Sequence, residues 1–472
     1  MRIRSMAAVA GAVLCLTGCA QTTLDGRATS MLFNPERVGG LPVGEGPSGP
    51  RPNAPQPVGT VENTDGGAMD RLALLAVNDI QDYWAKNFDK YLSGDFTPID
   101  TFVSYDSTDP DSPVVCQSET YDLAGAFYCI GDKLIAWDRG QALPVAAEFF
   151  GDMGVVGVIA HEYGHALQRM AGLIAEGAPV LVAEQQADCF AGVYLRSVAA
   201  GQSPRFTLST GEGLNRVLAG VIYLRDPLTA DAVGNPHGSA LDRISAFQMG
   251  FSGGADQCAA IDVDEIVKRQ GDLPQHMVFD KYGEPALDSA IDETMVETLM
   301  NVLTGIFQPT DAPALSTDPA GCGVQAEPTS YCADDNTIHV DMTALQAAGE
   351  PKNEEEDQVL VQGDNTAISM VTSRYALAVQ QERGVALDTP VAALRTACLT
   401  GVAQGRMTEE SGSELVLTAG DTDEAVAGLL TNGVVASDVN GRPAPAGFTR
   451  ILAYRLGLSS EVDECFERFE QP

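Results

Sequence analysis

Two stretches of this chain, VGVIAHEYGHALQRMAGL from Val156 and ISMVTSRYALAVQQERGV from Ile368, read as one helix written twice. Tyr375 falls on Tyr163, Gln380 on Gln168 and Gly384 on Gly172. The likeness then continues in order. ACLTGV around Cys398 matches DCFAGV around Cys189, LVLTAGDTDEAVAGLL (415–430) echoes FTLSTGEGLNRVLAGVI (206–222), and GFTRILAYRLGL (447–458) echoes ALDRISAFQMGF (240–251). Similarity that keeps its order through a whole unit constrains the fold more than one motif can, because both copies must build the same core. We read a first unit over 67–265, a connector over 266–285 and a second copy over 286–470.

Only the first copy carries chemistry at this helix. His161 and His165 are four apart, so at about 3.6 residues per turn their imidazoles leave one face and can grip one ion. Glu162 sits one step around, where a carboxylate can take a proton from a water. Downstream, LVAEQQADCFAGVYL (181–195) reads as a second helix with Glu184 and Asp188 one turn apart. Two His and one carboxylate make a catalytic zinc set, since structural sites usually close with four Cys or His. Glu184 is the expected third ligand, and Asp188 the acceptor for the free N–H of a liganding His, namely His161. In NPHGSALDRISAF (235–247), His237 precedes Arg243 by six. A non-ligand His can hydrogen-bond an oxyanion, and Arg243 can brace that loop or the Glu184 carboxylate.

FYC (Phe127–Cys129), AHEYGHALQ (Ala160–Gln168), EQQADCFAG (Glu184–Gly192) and HGS (His237–Ser239) ahead of DRISAF together resemble the bacterial neutral zinc metallopeptidase family, of the gluzincin type. The resemblance covers about residues 67–265. It implies a zincin-like fold and one zinc ion per chain. It further implies His161, His165 and Glu184 as ligands and Glu162 as catalytic base, but no particular substrate; we expect a peptide or protein. The same order of motifs also looks like the membrane zinc proteases that process prenylated proteins, but those need several long spanning helices, and none is written here.

In the second copy Ser373, Arg374 and Leu377 stand where His161, Glu162 and His165 would be, and Ala393 and Ala397 replace Glu184 and Asp188. A guanidinium and no ligands cannot hold zinc, so this copy is expected to be a pseudo-enzyme. Setting Cys15 and Cys19 aside, eight cysteines remain, an even number that suits an exported protein. Each copy has two close cysteines before the helix of HEYGH or its counterpart, one after the ExxAD-like position, and one near its end. The repeat therefore selects Cys116 with Cys129, Cys189 with Cys258, Cys322 with Cys332, and Cys398 with Cys465. His276 and His339 read as structural or solvated.

The first residues, MRIRSMAAVAGAVLCLTGC, hold two Arg and an apolar run from Met6 to Leu16. Such a run spans about 17 Å as a helix, short of a hydrocarbon core of about 30 Å, so residues 1–18 read as a signal peptide. LTGC resembles the lipobox of bacterial lipoproteins, which implies acylation of Cys19, a place in the cell envelope outside the cytoplasm, and membrane attachment through the lipid alone. Residues 19–66, with seven Pro between Asn34 and Gly59, read as a tether. The formal charge of −37 becomes −39 once Arg2 and Arg4 leave with the leader, and argues against nucleic acid as a partner.

Helical periodicity at 69–91, 152–172, 178–200 and 239–252, with short strands such as LIAWD (134–138) between, predicts a mainly helical α+β fold, not a regular parallel α/β one. The favoured function is zinc-dependent hydrolysis of peptide bonds. The alternative is a non-enzymatic envelope lipoprotein that uses both copies as a binding scaffold. Glu162 weighs against it, because a structural metal site needs no unliganded base.

Overall fold

The computed structural model describes residues 33–175, 177–226, 237–274, 289–318, 321, 328–409 and 411–470, with the backbone of 23–24 and 27–28. The leader, Cys19, His276 and Cys322 lie outside the described residues.

Residues 33–66 correct the expected free tether. After the pair β1 (Thr23–Leu24) and β2 (Arg27–Ala28), a tight hairpin joins β3 (Arg37–Val38) to β4 (Leu41–Pro42). Then β5 (Gly49–Pro50) lies along the body and β6 (Val61–Glu62) joins a sheet. Val38 is fully buried. Backbone and side-chain bonds hold the rest: Gly44 N–H donates to Thr210 Oγ1 at 2.9 Å, Arg51 N–H to the Arg205 carbonyl at 2.7 Å and Arg51 Nε to the Ser203 carbonyl at 3.0 Å. An extended Pro/Gly segment shows no apolar period, yet it can dock wherever its polar groups find partners on a finished surface. Composition alone therefore makes it look like a linker.

The sheet it joins contains β7 (Thr101–Tyr105), β10 (Ala126–Cys129) and β11 (Leu134–Asp138), while β8 (Val114–Val115) and β9 (Ser118–Glu119) form a separate hairpin. Strand order is β10-β11-β7-β6, with β10 antiparallel to β11 and the other pairs parallel. Every residue of β11 is buried. Its last, Asp138, is tolerated because it accepts N–H bonds from Ser107, Gly140 and Ala142 at 2.8–3.0 Å, and so starts the next helix.

Helices cover one side of this sheet. α1 (Ala68–Tyr91) buries Ala73, Ala76, Ile80, Trp84 and Phe88, one apolar stripe at helical spacing. α2 (Ala142–Phe150) turns at Gly151 into α3 (Asp152–Ala171). α3 stops at Gly172, whose φ of 65° lets its N–H and that of Leu173 close onto Arg169 and Gln168 and send the chain back into α4 (Val180–Ala199). Beyond β12 (Phe206–Thr207), which pairs with β5, come α5 (Glu212–Tyr223), α6 (Ala240–Gly253), α7 (Ala255–Ala259) and α8 (Val263–Gln270).

α4 is buried nearly throughout and lies between α3 and α6. Backbone contact sets both crossings. A Cβ on Gly164 would stand 2.8 Å from Ala187 Cα, and one on Gly250 only 1.8 Å from the Cys189 carbonyl oxygen. The Cys189–Cys258 disulfide then ties α4 to α7, and Cys116–Cys129 ties the loop before β9 to β10.

The later half contains α9 (Glu293–Phe307), β13 (Ala314–Ser316), β14 (Thr329–Cys332), β15 (Thr337–Val340), α10 (Met342–Gly349) and α11 (Glu354–Asp357). α12 (Asp364–Glu382), α13 (Pro390–Gln404), α14 (Asp421–Thr431), α15 (Gly447–Leu458) and α16 (Val462–Arg468) complete it. β15 has β13 parallel on one side and β14 antiparallel on the other. α13 and α15 cross at Gly401 and Gly457, where a Cβ would stand 2.2 Å from the Tyr454 and 1.9 Å from the Cys398 carbonyl oxygen. Cys398–Cys465 ties α13 to α16, and Cys332 is also disulfide-bonded. α12 and α13 are buried on all sides. Their threonines 372, 396 and 400 donate to the carbonyls four residues back, which satisfies the hydroxyls inside the core.

The halves meet through α5 and α6 on one side and α14 and α15 on the other, within one continuous apolar core. Gln248 donates to the Phe448 carbonyl at 2.8 Å and Arg455 to the Ser245 carbonyl at 3.2 Å. Asn215 accepts the Gly447 N–H at 3.2 Å and Asp423 that of Leu241 at 3.3 Å, each serving the first turn of a helix in the other half.

Gly250→Ala should therefore force α4 and α6 apart and cost about 1–3 kcal/mol or more, read as a lower midpoint in urea unfolding. An unchanged midpoint would show that the crossing has slack.

Candidate metal centre

The face of α3 opposite its apolar contacts carries His161 and His165, and α4 brings Glu184 to them. His161 Nε2 lies 3.0 Å from Glu184 Oε2 and His165 Nε2 lies 3.5 Å from Glu184 Oε1. One donor atom from each of the three residues lies within 4.8 Å of the others. Zinc bonds to nitrogen and oxygen are about 2.0–2.2 Å, so donors this close can share one ion. The chemistry of the set also fits, since two imidazoles and a carboxylate leave a fourth position for water.

The imidazoles are held from behind. Asp188 Oδ1 lies 2.7 Å from His161 Nδ1, and Gln168 Oε1 lies 3.1 Å from His165 Nδ1. Both contacts leave Nε2 directed to the cluster. Asp188 is only 3% exposed. Its charge is sustained by Arg243, whose Nε and Nη2 donate to it at 2.9 and 3.0 Å. Burial pushes Asp188 up, but Arg243 and His161 outweigh it and hold the carboxyl below the usual range. Burial would push His161 down, yet Asp188 and Glu184 bring it up to about 10. Glu184 is buried too, and the two imidazoles hold it far below a normal carboxylate.

Of the two expectations for Arg243, bracing the His237 segment or the Glu184 carboxylate, the second is corrected: its carboxylate partner is Asp188. From α6 its guanidinium meets α4 at residue 188, and its remaining nitrogen donates to the Leu224 carbonyl, just after α5.

Glu162 is not one of the three clustered donors; it is 8% exposed, with Oε2 accepting the Tyr128 N–H of β10 at 3.0 Å. Burial raises its pKa, opposed by His161 and His165, which suits a base. His237 lines the same cleft, half exposed, with Nδ1 2.9 Å from Asp226 Oδ1. Asp226 Oδ2 also accepts the N–H groups of His237 and Gly238, and its hydrogen bond raises the His237 pKa. Sequence reasoning missed Asp226, Gln168 and the Tyr128 backbone. Gln168 was within reach, being three residues from His165 on the same helix; the other two are tertiary contacts that no spacing signals.

The positions whose sequence echoes the ligands hold no such set. Leu377, Ala393 and Ala397 are fully buried in apolar packing, Ser373 donates to the Met370 carbonyl at 2.6 Å, and Arg374 donates to the Val434 carbonyl and Ser437 Oγ at 2.8 and 2.7 Å. His339 Nδ1 sits 2.9 Å from the Asp318 carbonyl. Cys116, Cys129 and Asp132 also cluster, but the two sulfurs are bonded to each other.

Asp188→Asn should lower zinc affinity about ten- to a hundredfold in chelator competition, with the circular dichroism of the helices retained. Unchanged affinity would mean that Asp188 serves packing alone.

Residues 38–261 match the family model described as "Putative neutral zinc metallopeptidase". No curated protein and no solved structure matches the chain.

Proposed function

We propose that residues 38–261, which match the neutral zinc metallopeptidase family model, form an endopeptidase in which Glu162 is the general base. The observation that carries the reading is the placement of Glu162: buried beside His161, His165 and Glu184, yet held by the Tyr128 N–H outside the set that would bind the ion. A structural site has no use for it. The cleft, about 1450 Å³, exceeds the usual 300–1,000 Å³ of a small-molecule pocket and suits a length of polypeptide.

His161, His165 and Glu184 would hold the ion. Zinc at that place supplies a water of pKa near 7 and polarises the scissile carbonyl. Glu162 accepts the proton of the attacking water and returns it to the leaving amine. Its bond to Tyr128 fixes one carboxylate oxygen, so little rotation is needed between the two transfers. His237, held by Asp226, donates a hydrogen bond to the oxyanion. Asp188 and Arg243 position His161.

Glu162→Gln is expected to keep the metal, by elemental analysis, and to lose at least about a hundredfold in hydrolysis of casein or a peptide library. Full activity in that variant refutes the assignment.

We read residues 286–470 as a second copy of the unit without its ligands. Support comes from the shared strand arrangement of β13, β15 and β14, the glycine crossing at Gly401 and Gly457, and the Cys398–Cys465 bond, each with a counterpart in the first half. We place the protein in the bacterial cell envelope, anchored by lipid at Cys19, on the lipobox resemblance; among the described residues no helix is long and apolar enough to cross a membrane. Cys19→Ser should move the protein from the membrane to the soluble fraction. A variant that still sediments with membranes would rule the anchor out.

A further inference from the structure

Ile130, Phe149, Leu224 and Val359 are large apolar side chains left 55%, 37%, 47% and 38% exposed, and all four line the cleft of the candidate metal centre. Apolar groups gathered at one concave surface mark a place where something apolar docks. Three of the four come from the first half. Val359 comes from the second, on the segment between α11 and α12, which lines the cleft from Gln358 to Gln362 while Leu360 and Val361 pack partly onto the core.

The helix that leads into this segment, α11, is clamped to the first half at Glu354. Arg225 Nη1 and Nη2 donate to Glu354 Oε1 and Oε2 at 3.1 and 2.7 Å, and Arg225 Nε lies 3.7 Å from the buried Asp423. A two-pronged guanidinium–carboxylate pair fixes direction as well as distance. Arg225 is next in the chain to Asp226, which holds His237. The wall and the candidate oxyanion residue are thus set by neighbouring side chains.

We propose that residues 358–362 are the far wall of a substrate subsite, which takes an aliphatic or aromatic side chain of a peptide lying across the metal centre. The inference rests on the peptidase reading and adds the substrate class to it. Charge narrows the class further. With 65 acidic against 28 basic residues, the field of the protein disfavours acidic peptides and favours neutral or cationic ones. The second half then acts as a specificity element, which explains why a copy without ligands stays packed at the rim of the working cleft.

The test uses full-length Glu162→Gln protein loaded with zinc, and labelled peptides that differ at one position, Phe, Leu, Ala or Asp, followed by fluorescence anisotropy. The Phe and Leu peptides are expected to bind at least about tenfold tighter than Ala or Asp, a difference of about 1.4 kcal/mol, within what burial of one such side chain supplies. Val359→Asp should erase most of that preference and Val359→Leu should keep it. Val416→Asp, at a valine 40% exposed elsewhere on the second half, should leave it intact. Equal binding of the Phe and Asp peptides, or a preference untouched by Val359→Asp, overturns the subsite. The same peptides given to the unmutated protein separate the two ideas. Selective binding without cleavage sinks the peptidase reading and leaves the subsite standing, whereas cleavage without selectivity does the reverse.

Discussion

Everything at the centre of the first half turns on a charge kept in the interior. Asp188 lies on α4, the helix between α3 and α6, and spends its two oxygens on His161 from one neighbour and Arg243 from the other. A lone carboxylate there would be costly, and removing one partner of such a pair usually costs several kcal/mol. The network fixes the tautomer of His161, the seat of Arg243 and the spacing of three helices at once. Site and core are one construction here, because the group that orients a ligand also decides how the helices meet.

The sequence displays this centre unusually well, and the reason is geometric. HEYGH and EQQAD lie on helices, where spacing in the chain translates directly into a shared face, so spacing alone suffices to group His161 with His165 and Glu184 with Asp188. The expected helix over 152–172 runs Asp152–Ala171, and LIAWD is β11. What the sequence hides depends on the meeting of distant segments. The Tyr128 N–H reaches Glu162 only because β10 is the outer strand beside α3, and Asp226 meets His237 from eleven positions away in the chain. The strap of residues 33–66 resembles a free linker for a related cause, since its attachment is made of hydrogen bonds to partners such as Thr210 and Arg205 that only the folded body brings near.

The two halves touch through the helices whose sequences echo one another, α5 and α6 against α14 and α15, in the manner of an interface between like subunits. The same devices hold each half: a crossing at two glycines without room for a Cβ, and a disulfide from the central helix to a short one after it. None of these involves a metal ligand. In the later half Ala393 and Ala397 are simply core residues, and Arg374 finds neutral partners in Val434 and Ser437. Packing and chemistry are separable in the later half as they are not around Asp188.

The docked strap also shortens the leash. Were residues 19–66 free, an acylated Cys19 would let the body roam far from the lipid surface. Because the chain is seated from Phe33 onward, the acyl group proposed at Cys19 would lie no more than about 50 Å of chain from Phe33. With the anchor and the activity as proposed, the enzyme would sweep a thin layer next to the bilayer and meet the polypeptides that pass within that depth.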